Sequence, residues 1–172
     1  MLRDLRGHTG AVHSTTWASD GLTIVSGSDD STVRRWDLAT GTALWRSKEN
    51  ETGVHTDYVR FVDTHPNDPN VFVSGSYDHS VKLWDARQSK PISSIKHDHP
   101  VEVCKFNPSG TFVITAAKSE VNVWDMFAGT SLVHTFRCHQ KNISALDMNE
   151  SGTTLFSAGL DGHVKVYNMQ KM

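Results

Sequence analysis

The chain repeats one pattern four times, and this repeat constrains its fold more than any other feature. The units begin at histidines spaced 47, 42 and 42 residues apart: His8, His55, His97 and His139. Each histidine is followed four residues later by a β-branched residue and 27 to 29 residues later by an aromatic one. The aromatic residues are Trp36, Trp84, Trp124 and Tyr167. Four aligned units of this length predict one supersecondary structure that is repeated along the chain.

Within each unit, short apolar stretches alternate with residues that favour turns. In the first unit we predict strands at 12–18, 22–28, 32–38 and 43–47. The connecting residues are rich in Asp, Asn, Pro and Gly, which favour turns because they fix φ or tolerate positive φ. No helical periodicity extends over ten residues. A four-stranded unit of this length is typical of a β-propeller blade, so we predict an all-β propeller of about four blades.

The recurring Trp-Asp dipeptide and turn Asp resemble the WD repeat family. The resemblance implies that a His, a Ser or Thr, an Asp and a Trp form a buried hydrogen-bond network in each blade. The candidate network residues are His8, Ser26, Asp30, Trp36, His55, Ser74, Asp78, Trp84, His97, Trp124, His139, Asp161 and Tyr167. The third unit has Lys118 in place of the Asp and a turn about one residue shorter, so we expect it to be the loosest blade.

The same residue types also resemble a catalytic triad. A triad needs one constellation in one cleft, whereas this set recurs in several units. We therefore interpret the network as structural and predict no catalytic residue. His97-Asp98-His99 and Cys138-His139 lack the further ligands of a zinc site, and no Gly-rich phosphate loop precedes a helix. We predict no cofactor and no bound metal.

The ends of the pattern bear on ring closure. WD-repeat proteins usually close with seven blades, although propellers of four to eight blades exist. Residues 2–5 are interpreted as the outer strand of a preceding blade, and the fourth unit stops after 164–167 without an outer strand of its own. We expect an open arc, as in a fragment or partial gene product, that exposes apolar faces and strand edges at both ends. Closure by four blades is the alternative.

Two residues depart from the repeat. Arg35 interrupts an otherwise apolar face of the third strand, so we expect it at a solvent-open edge. Alternatively, its long side chain reaches past the core to a partner. Trp45 lies outside the blade pattern and is interpreted as packing in an outer strand, although such a ring could also stack on a base or a partner.

Charge and cysteine content exclude several functions. The chain has 17 Lys and Arg against 19 Asp and Glu, and its net charge of −2 argues against a general polyanion binder. Cys104 and Cys138 are too few for a disulfide framework, and we expect reduced, partly buried thiols. The first residues contain no apolar run, so we expect neither a secretory signal nor a membrane span there.

The second unit carries the most specific resemblance. Residues 71–87, Val-Phe-Val-Ser-Gly-Ser-Tyr-Asp-His-Ser-Val-Lys-Leu-Trp-Asp-Ala-Arg, are similar to a blade of the U3 small nucleolar RNA-associated protein 15 family of the small-subunit processome. Residues 121–126 and 160–167 continue the match. The resemblance implies a non-catalytic scaffold in the nucleolus that acts in pre-rRNA processing and 18S rRNA maturation. It implies other propeller and helical subunits as protein partners, indirect contact with the snoRNA and pre-rRNA particle, and no membrane.

A second function is compatible with the same fold. Trp84-Asp85-Ala86-Arg87 fits the Trp-Asp-x-Arg pattern of substrate receptors or adaptors of cullin-type ubiquitin ligases, although only one unit has it. Fold alone does not choose between partners. An enzyme built on a propeller is the third alternative, and the sequence contains no unrepeated cluster of acid, base and nucleophile to favour it.

Overall fold

Fifteen strands form four antiparallel sheets in the computed structural model, which describes residues 4–48, 52–127, 129–137 and 139–171. Three sheets have four strands and the last has three, and consecutive strands are neighbours in every sheet. Each sheet is one blade. The all-β prediction is confirmed. Helical structure in the described residues is limited to one short 3-10 turn, Met169–Lys171, and none of it is long and apolar enough to cross a membrane.

The blades follow one another along the chain, and each blade begins a few residues after its repeat histidine. Blade 1 contains β1 (Val12–Trp17), β2 (Thr23–Ser28), β3 (Val33–Asp37) and β4 (Ala43–Arg46). Blade 2 contains β5 (Val59–Thr64), β6 (Val71–Ser76), β7 (Ser80–Asp85) and β8 (Ser93–Lys96). Blade 3 contains β9 (Val101–Phe106), β10 (Phe112–Ala117), β11 (Glu120–Asp125) and β12 (Ser131–Arg137). Blade 4 contains β13 (Ile143–Met148), β14 (Thr154–Gly159) and β15 (Val164–Asn168).

Apolar side chains fill the space between successive blades. One buried cluster joins blades 1 and 2 through residues such as Val25, Val59 and Trp84. Two further clusters join blade 2 to blade 3 and blade 3 to blade 4. Every residue of β6 and β7 is buried, because blade 2 is covered on both faces. The burial extends to polar residues of these strands, including Ser74, Ser76 and Ser80.

Small residues allow the blades to approach closely. A Cβ added at Gly27 would lie 2.6 Å from the Val59 Cγ1 of the next blade, and one added at Gly75 would lie 2.8 Å from the Val101 Cγ1. Both separations are shorter than a van der Waals contact. The glycines therefore lie where the second strand of one blade meets the first strand of the next.

The four blades form an open arc. The first strands of neighbouring blades contact one another and so line its hub, whereas we find no comparable packing between blades 4 and 1 in the described residues. Trp17 of blade 1 is 61% exposed, and Leu160 of blade 4 is also exposed. The predicted open arc is confirmed, and blade 4 has three strands within the described residues. The strand predicted at 2–5 is not seen at residues 4 and 5, and residues 2 and 3 lie outside the described ranges.

The structure contradicts the prediction that Arg35 lies at a solvent-open edge. It is only 8% exposed, and its guanidinium donates to Asp20 Oδ2 at 3.0 Å and to Asn70 Oδ1 at 2.7 Å. Asn70 belongs to blade 2, so this buried charge is paired within its own blade and also links two blades. Trp45 lies on β4, packs edge-on against Phe72 and Trp84 of blade 2, and donates its indole N–H to the Gln88 carbonyl.

Candidate functional site

Blade 2 contains a continuous chain of hydrogen bonds from a surface turn to the third strand. Trp84 on β7 donates its indole N–H to Ser74 Oγ at 2.7 Å. Ser74 on β6 lies 2.6 Å from His55 Nε2, and His55 Nδ1 lies 2.8 Å from Asp78 Oδ2. Because the indole can only donate and the carboxylate can only accept, this order places a proton on His55 Nδ1 and directs the Ser74 hydroxyl toward Nε2.

Asp78 also organises the backbone around it. Its Oδ2 accepts the Thr56 N–H at 3.1 Å, and its Oδ1 accepts the Ser80 N–H at 2.9 Å. His79 follows it at φ 63, a left-handed turn position. The carboxylate therefore holds together the chain entering the blade and the turn between β6 and β7, which lie more than 20 residues apart in sequence.

Burial and hydrogen bonding fix the charge states in this network. Burial lowers the pKa of His55, so the imidazole is neutral at pH 7 although Asp78 lies beside it. Burial alone would raise the pKa of Asp78, but hydrogen bonds from His55, Ser80 and the Thr56 N–H lower it below its ordinary value. The network is a neutral histidine bonded to an ionised carboxylate.

Blades 1 and 4 repeat this geometry. His8 lies 2.8 Å from Asp30 and 2.7 Å from Ser26, which also accepts the Trp36 indole N–H at 2.8 Å. His139 lies 3.0 Å from Asp161 and 2.6 Å from Ser157, and the Tyr167 hydroxyl lies 2.9 Å from Ser157. Tyrosine thus replaces tryptophan as the third-strand partner in blade 4. Similar bonds to Asp30 lower its pKa to about 2, against the effect of burial.

Blade 3 does not form this network. Trp124 donates to Thr115 Oγ1 at 3.0 Å, but His97 Nε2 is buried without a hydrogen-bond partner among the described residues. Its ring packs edge-on against Trp124 with centroids 5.4 Å apart. The β10–β11 turn is shorter, since Ala117 pairs directly with Glu120 and only Lys118 and Ser119 lie between them. That blade 3 is the loosest stays a prediction.

Some members of the networks were absent from the sequence-based set. Ser157 and Thr115 accept or share the hydrogen bond of the third-strand aromatic residue, and Thr32 and Ser80 bond the turn aspartates. The sequence contains a signal for Ser157 and Thr115, because a Ser or Thr precedes the third-strand aromatic residue of each blade by nine or ten positions. Thr32 and Ser80 each follow the turn Asp by two residues.

The arrangement offers little for catalysis. The Ser74 hydroxyl is fully buried and already engaged by Trp84 and His55, so a substrate cannot reach it. No group of three or more His, Cys, Asp or Glu side chains within the described ranges is placed to hold a metal ion. Cys104 is a buried free thiol whose pKa is raised well above its ordinary value by burial, and Cys138 lies outside the described residues.

A second polar cluster lies at the hub. His13, Arg60 and Glu102 each follow the β-branched residue that begins a first strand. Arg60 Nη1 lies 3.0 Å from His13 Nδ1, its Nε lies 3.8 Å from Glu102 Oε2, and Tyr77 donates to Glu102 Oε1 at 3.0 Å. These residues line a cavity of about 350 Å³. The hub is therefore polar, and these side chains join three blades.

Four blades joined at a hub, three of them four-stranded, together with a His-Ser-Asp network in blades 1, 2 and 4, define a repeat-type β-propeller. The WD domain, G-beta repeat model matches residues 1–37, 48–85, 89–125 and 130–168, so the chain belongs to the WD-repeat family.

Within this family the chain is similar to proteins named U3 small nucleolar RNA-associated protein 15 and to a plant protein of another name. It is 41% identical over 167 residues to the U3 small nucleolar RNA-associated protein 15 homolog of Xenopus tropicalis, a match that covers 97% of the chain and 32% of the relative. It is 39% identical to U3 small nucleolar RNA-associated protein 15 of Schizosaccharomyces pombe, covering 98% of the chain and 33% of the relative. It is 38% identical to Protein SLOW WALKER 1 of Arabidopsis thaliana, covering 97% and 32%. The chain spans about a third of the length of these relatives.

Proposed function

We propose that the chain is part of a non-catalytic scaffold of the small-subunit processome that acts in nucleolar pre-rRNA processing and 18S rRNA maturation. The observation that carries this proposal is the similarity to proteins named for the U3 small nucleolar RNA, which extends over 97% of the chain at 41% identity. A match that covers every blade is more specific than one confined to the Trp-Asp positions that propellers share.

The physical properties of the blades support a scaffold. The network hydroxyls and imidazoles of blades 1, 2 and 4 are used in internal hydrogen bonds, and the loops that connect the strands are anchored by buried carboxylates such as Asp78. A rigid surface loses little conformational entropy when it binds a partner. Such a surface is suited to holding other subunits in a fixed arrangement.

We propose other propeller and helical subunits as its protein partners, in the nucleus and nucleolus. Contact with the snoRNA and pre-rRNA particle would pass through those subunits, because the net charge of −2 provides little general attraction for phosphate. No enzymatic activity is proposed.

The ubiquitin-ligase alternative has weaker support. The guanidinium of Arg87 in the Trp-Asp-x-Arg sequence donates to Asp85 at 2.7 Å and to Asp68 at 3.1 Å. Both acceptors lie in its own blade, so these contacts account for the motif without a ligase adaptor.

Depletion of the protein with rescue by a tagged copy tests the proposal. We expect loss of 18S rRNA, accumulation of its longer precursors, and concentration of the tagged copy in the nucleolus. Rescue by an Arg87→Ala copy should be complete, and affinity purification should recover nucleolar propeller proteins. A cytoplasmic copy with unchanged precursor levels, or recovery of a ligase adaptor whose binding Arg87→Ala removes, would contradict it.

A further inference from the structure

The shorter turn of blade 3 leaves a pocket at the place where the other networks contain an aspartate. The cavity has a volume of about 300 Å³, and His97, Lys118, Glu120, Trp124 and Arg137 contribute to its lining. We call it the blade 3 pocket. Its size, at the low end of the range for ligand sites, suits one or two side chains of a partner.

The other blades show what this arrangement of donors binds. In blade 2, the same oxygen of Asp78 lies 2.8 Å from His55 Nδ1 and 3.1 Å from the N–H of the next residue, Thr56. Blade 1 repeats the pair with His8 and the Thr9 N–H, and blade 4 repeats it with His139 and the Gln140 N–H. An imidazole and the following backbone N–H therefore form a carboxylate site in three blades of this chain.

Blade 3 retains the donors but has no acid of its own. His97 and Asp98 stand at the positions of His55 and Thr56, and within the described residues neither the His97 ring nor the Asp98 N–H makes a hydrogen bond to an acceptor. The His97 ring is partly buried and held by its contact with Trp124. The buried unpaired atom is Nε2, at the position where His55 meets Ser74, so a carboxylate placed like Asp78 would bond Nδ1 and the Asp98 N–H instead.

The charges around the pocket also favour an anion. Its lining includes the cations Lys96, Lys118 and Arg137 and the carboxylates of Asp98 and Glu120. Arg137 forms an ion pair with Glu120 at 2.7 Å, so the Glu120 carboxylate is already paired with a cation of the chain. The two lysines make no such pair among the described residues, so their charge is available to an incoming anion.

We propose that the blade 3 pocket binds a carboxylate side chain from an acidic segment of a partner protein. The carboxylate would accept hydrogen bonds from the His97 ring and the Asp98 N–H, as Asp78 accepts them from His55 and Thr56. This site is a property of blade 3 alone and does not depend on the nucleolar role, so its test is a binding measurement on the purified chain.

The test measures the binding of two peptides to the chain, which is immobilised through a terminal tag. Both are fluorescein-labelled, terminally blocked octapeptides, one of alternating Glu and Gly and the other of alternating Gln and Gly. We expect the Glu peptide to bind at least tenfold more tightly than the Gln peptide. His97→Phe, which keeps the ring contact with Trp124, should weaken Glu-peptide binding at least tenfold. His134→Phe is the matched control, since this exposed histidine lies on β12 of the same blade and does not line the pocket, and it should change binding less than twofold.

A second variant keeps the proposal testable if His97→Phe does not fold. Insertion of an Asp between Ala117 and Lys118 restores the turn length of the other blades and supplies a carboxylate from the chain itself. We expect this variant to melt at a higher temperature than the parent and to lose at least tenfold in Glu-peptide affinity. Three results would each overturn the proposal. They are equal binding of the Glu and Gln peptides, an insertion that leaves Glu-peptide affinity unchanged, and displacement of the bound Glu peptide by a uridine oligonucleotide.

Discussion

Val164 on β15 occupies the blade position that Val81 occupies on β7, yet Val81 is fully buried whereas Val164 is 68% exposed. The difference has one cause. Blade 3 covers that face of blade 2, and no blade in the described residues covers the corresponding face of blade 4. Val166, two residues further along the same strand, is 64% exposed on the same face. Blade 4 therefore presents an apolar surface of the kind that packs between blades elsewhere in the arc, and no blade in the described residues covers this surface.

The exposed face of blade 4 should make the isolated chain associate. We expect it to elute above its monomer mass in size-exclusion chromatography and to enhance the fluorescence of a hydrophobic dye. Replacing both exposed valines, Val164→Thr and Val166→Thr, should reduce association and dye binding while lowering stability by less than about 0.5 kcal/mol. Val81→Thr is the control, because the same hydroxyl placed in the buried core should cost about 1–3 kcal/mol. A monodisperse, cooperatively melting monomer would contradict this prediction.

The histidine of an intact network should contribute more to stability than its counterpart in blade 3. His55→Ala removes one hydrogen-bond partner from the buried Asp78 carboxylate and one from the Ser74 hydroxyl, and we expect the free energy of unfolding to fall by about 1–3 kcal/mol. His97→Ala should cost less, since His97 makes no side-chain hydrogen bond in the described residues. Urea denaturation of the two variants in parallel checks the difference. A well-folded His55→Ala variant that has lost a hydrolytic activity of the parent would instead assign His55 to catalysis.

The close approach of the blades should make Gly75 intolerant of a larger residue. A valine there would place side-chain atoms inside the volume of Val101, and we expect a loss of about 1–3 kcal/mol from overpacking. Ala158 is the matched control, because it pairs with Val164 on β15 as Gly75 pairs with Val81 on β7. Ala158→Val should change stability by less than about 0.5 kcal/mol, because no described blade packs over that end of the arc. Equal losses in the thermal unfolding of the two variants would show that blade 3 does not restrict this position.

Much of the fold could be predicted from the sequence because the repeat provides four aligned copies of each position. The strands predicted for the first unit at 12–18 and 32–38 are observed as Val12–Trp17 and Val33–Asp37, within a residue at each end. Turn residues and β-branched runs mark these boundaries directly. The positions of the network histidines follow from the same alignment.

Contacts between blades could not be predicted in the same way. Arg35 lies in a buried position because Asp20 and Asn70 approach it from two different turns, and the repeat does not reveal that the two turns meet. The blade 3 pocket lies at a turn that is shorter by one residue. Whether such a shortening leaves a pocket depends on where His97 lies relative to β10 and β11. Such features are specified by the packing of unrelated loops and not by a local pattern.

Acidic pH should destabilise the chain partly through His97. Burial lowers the pKa of this imidazole to about 4 from an ordinary value of 6.5; the carboxylates of Asp98 and Glu120 oppose the effect, and His79 adds to it. Because the folded state binds the proton less well than the unfolded state, this contribution is fully present above pH 6.5 and is lost as the pH falls from 6.5 toward about 4. His97→Phe should therefore flatten the decline in unfolding free energy across that window. Urea titrations at each pH measure both profiles, and parallel profiles for the parent and the variant would show that His97 is not buried in its neutral form.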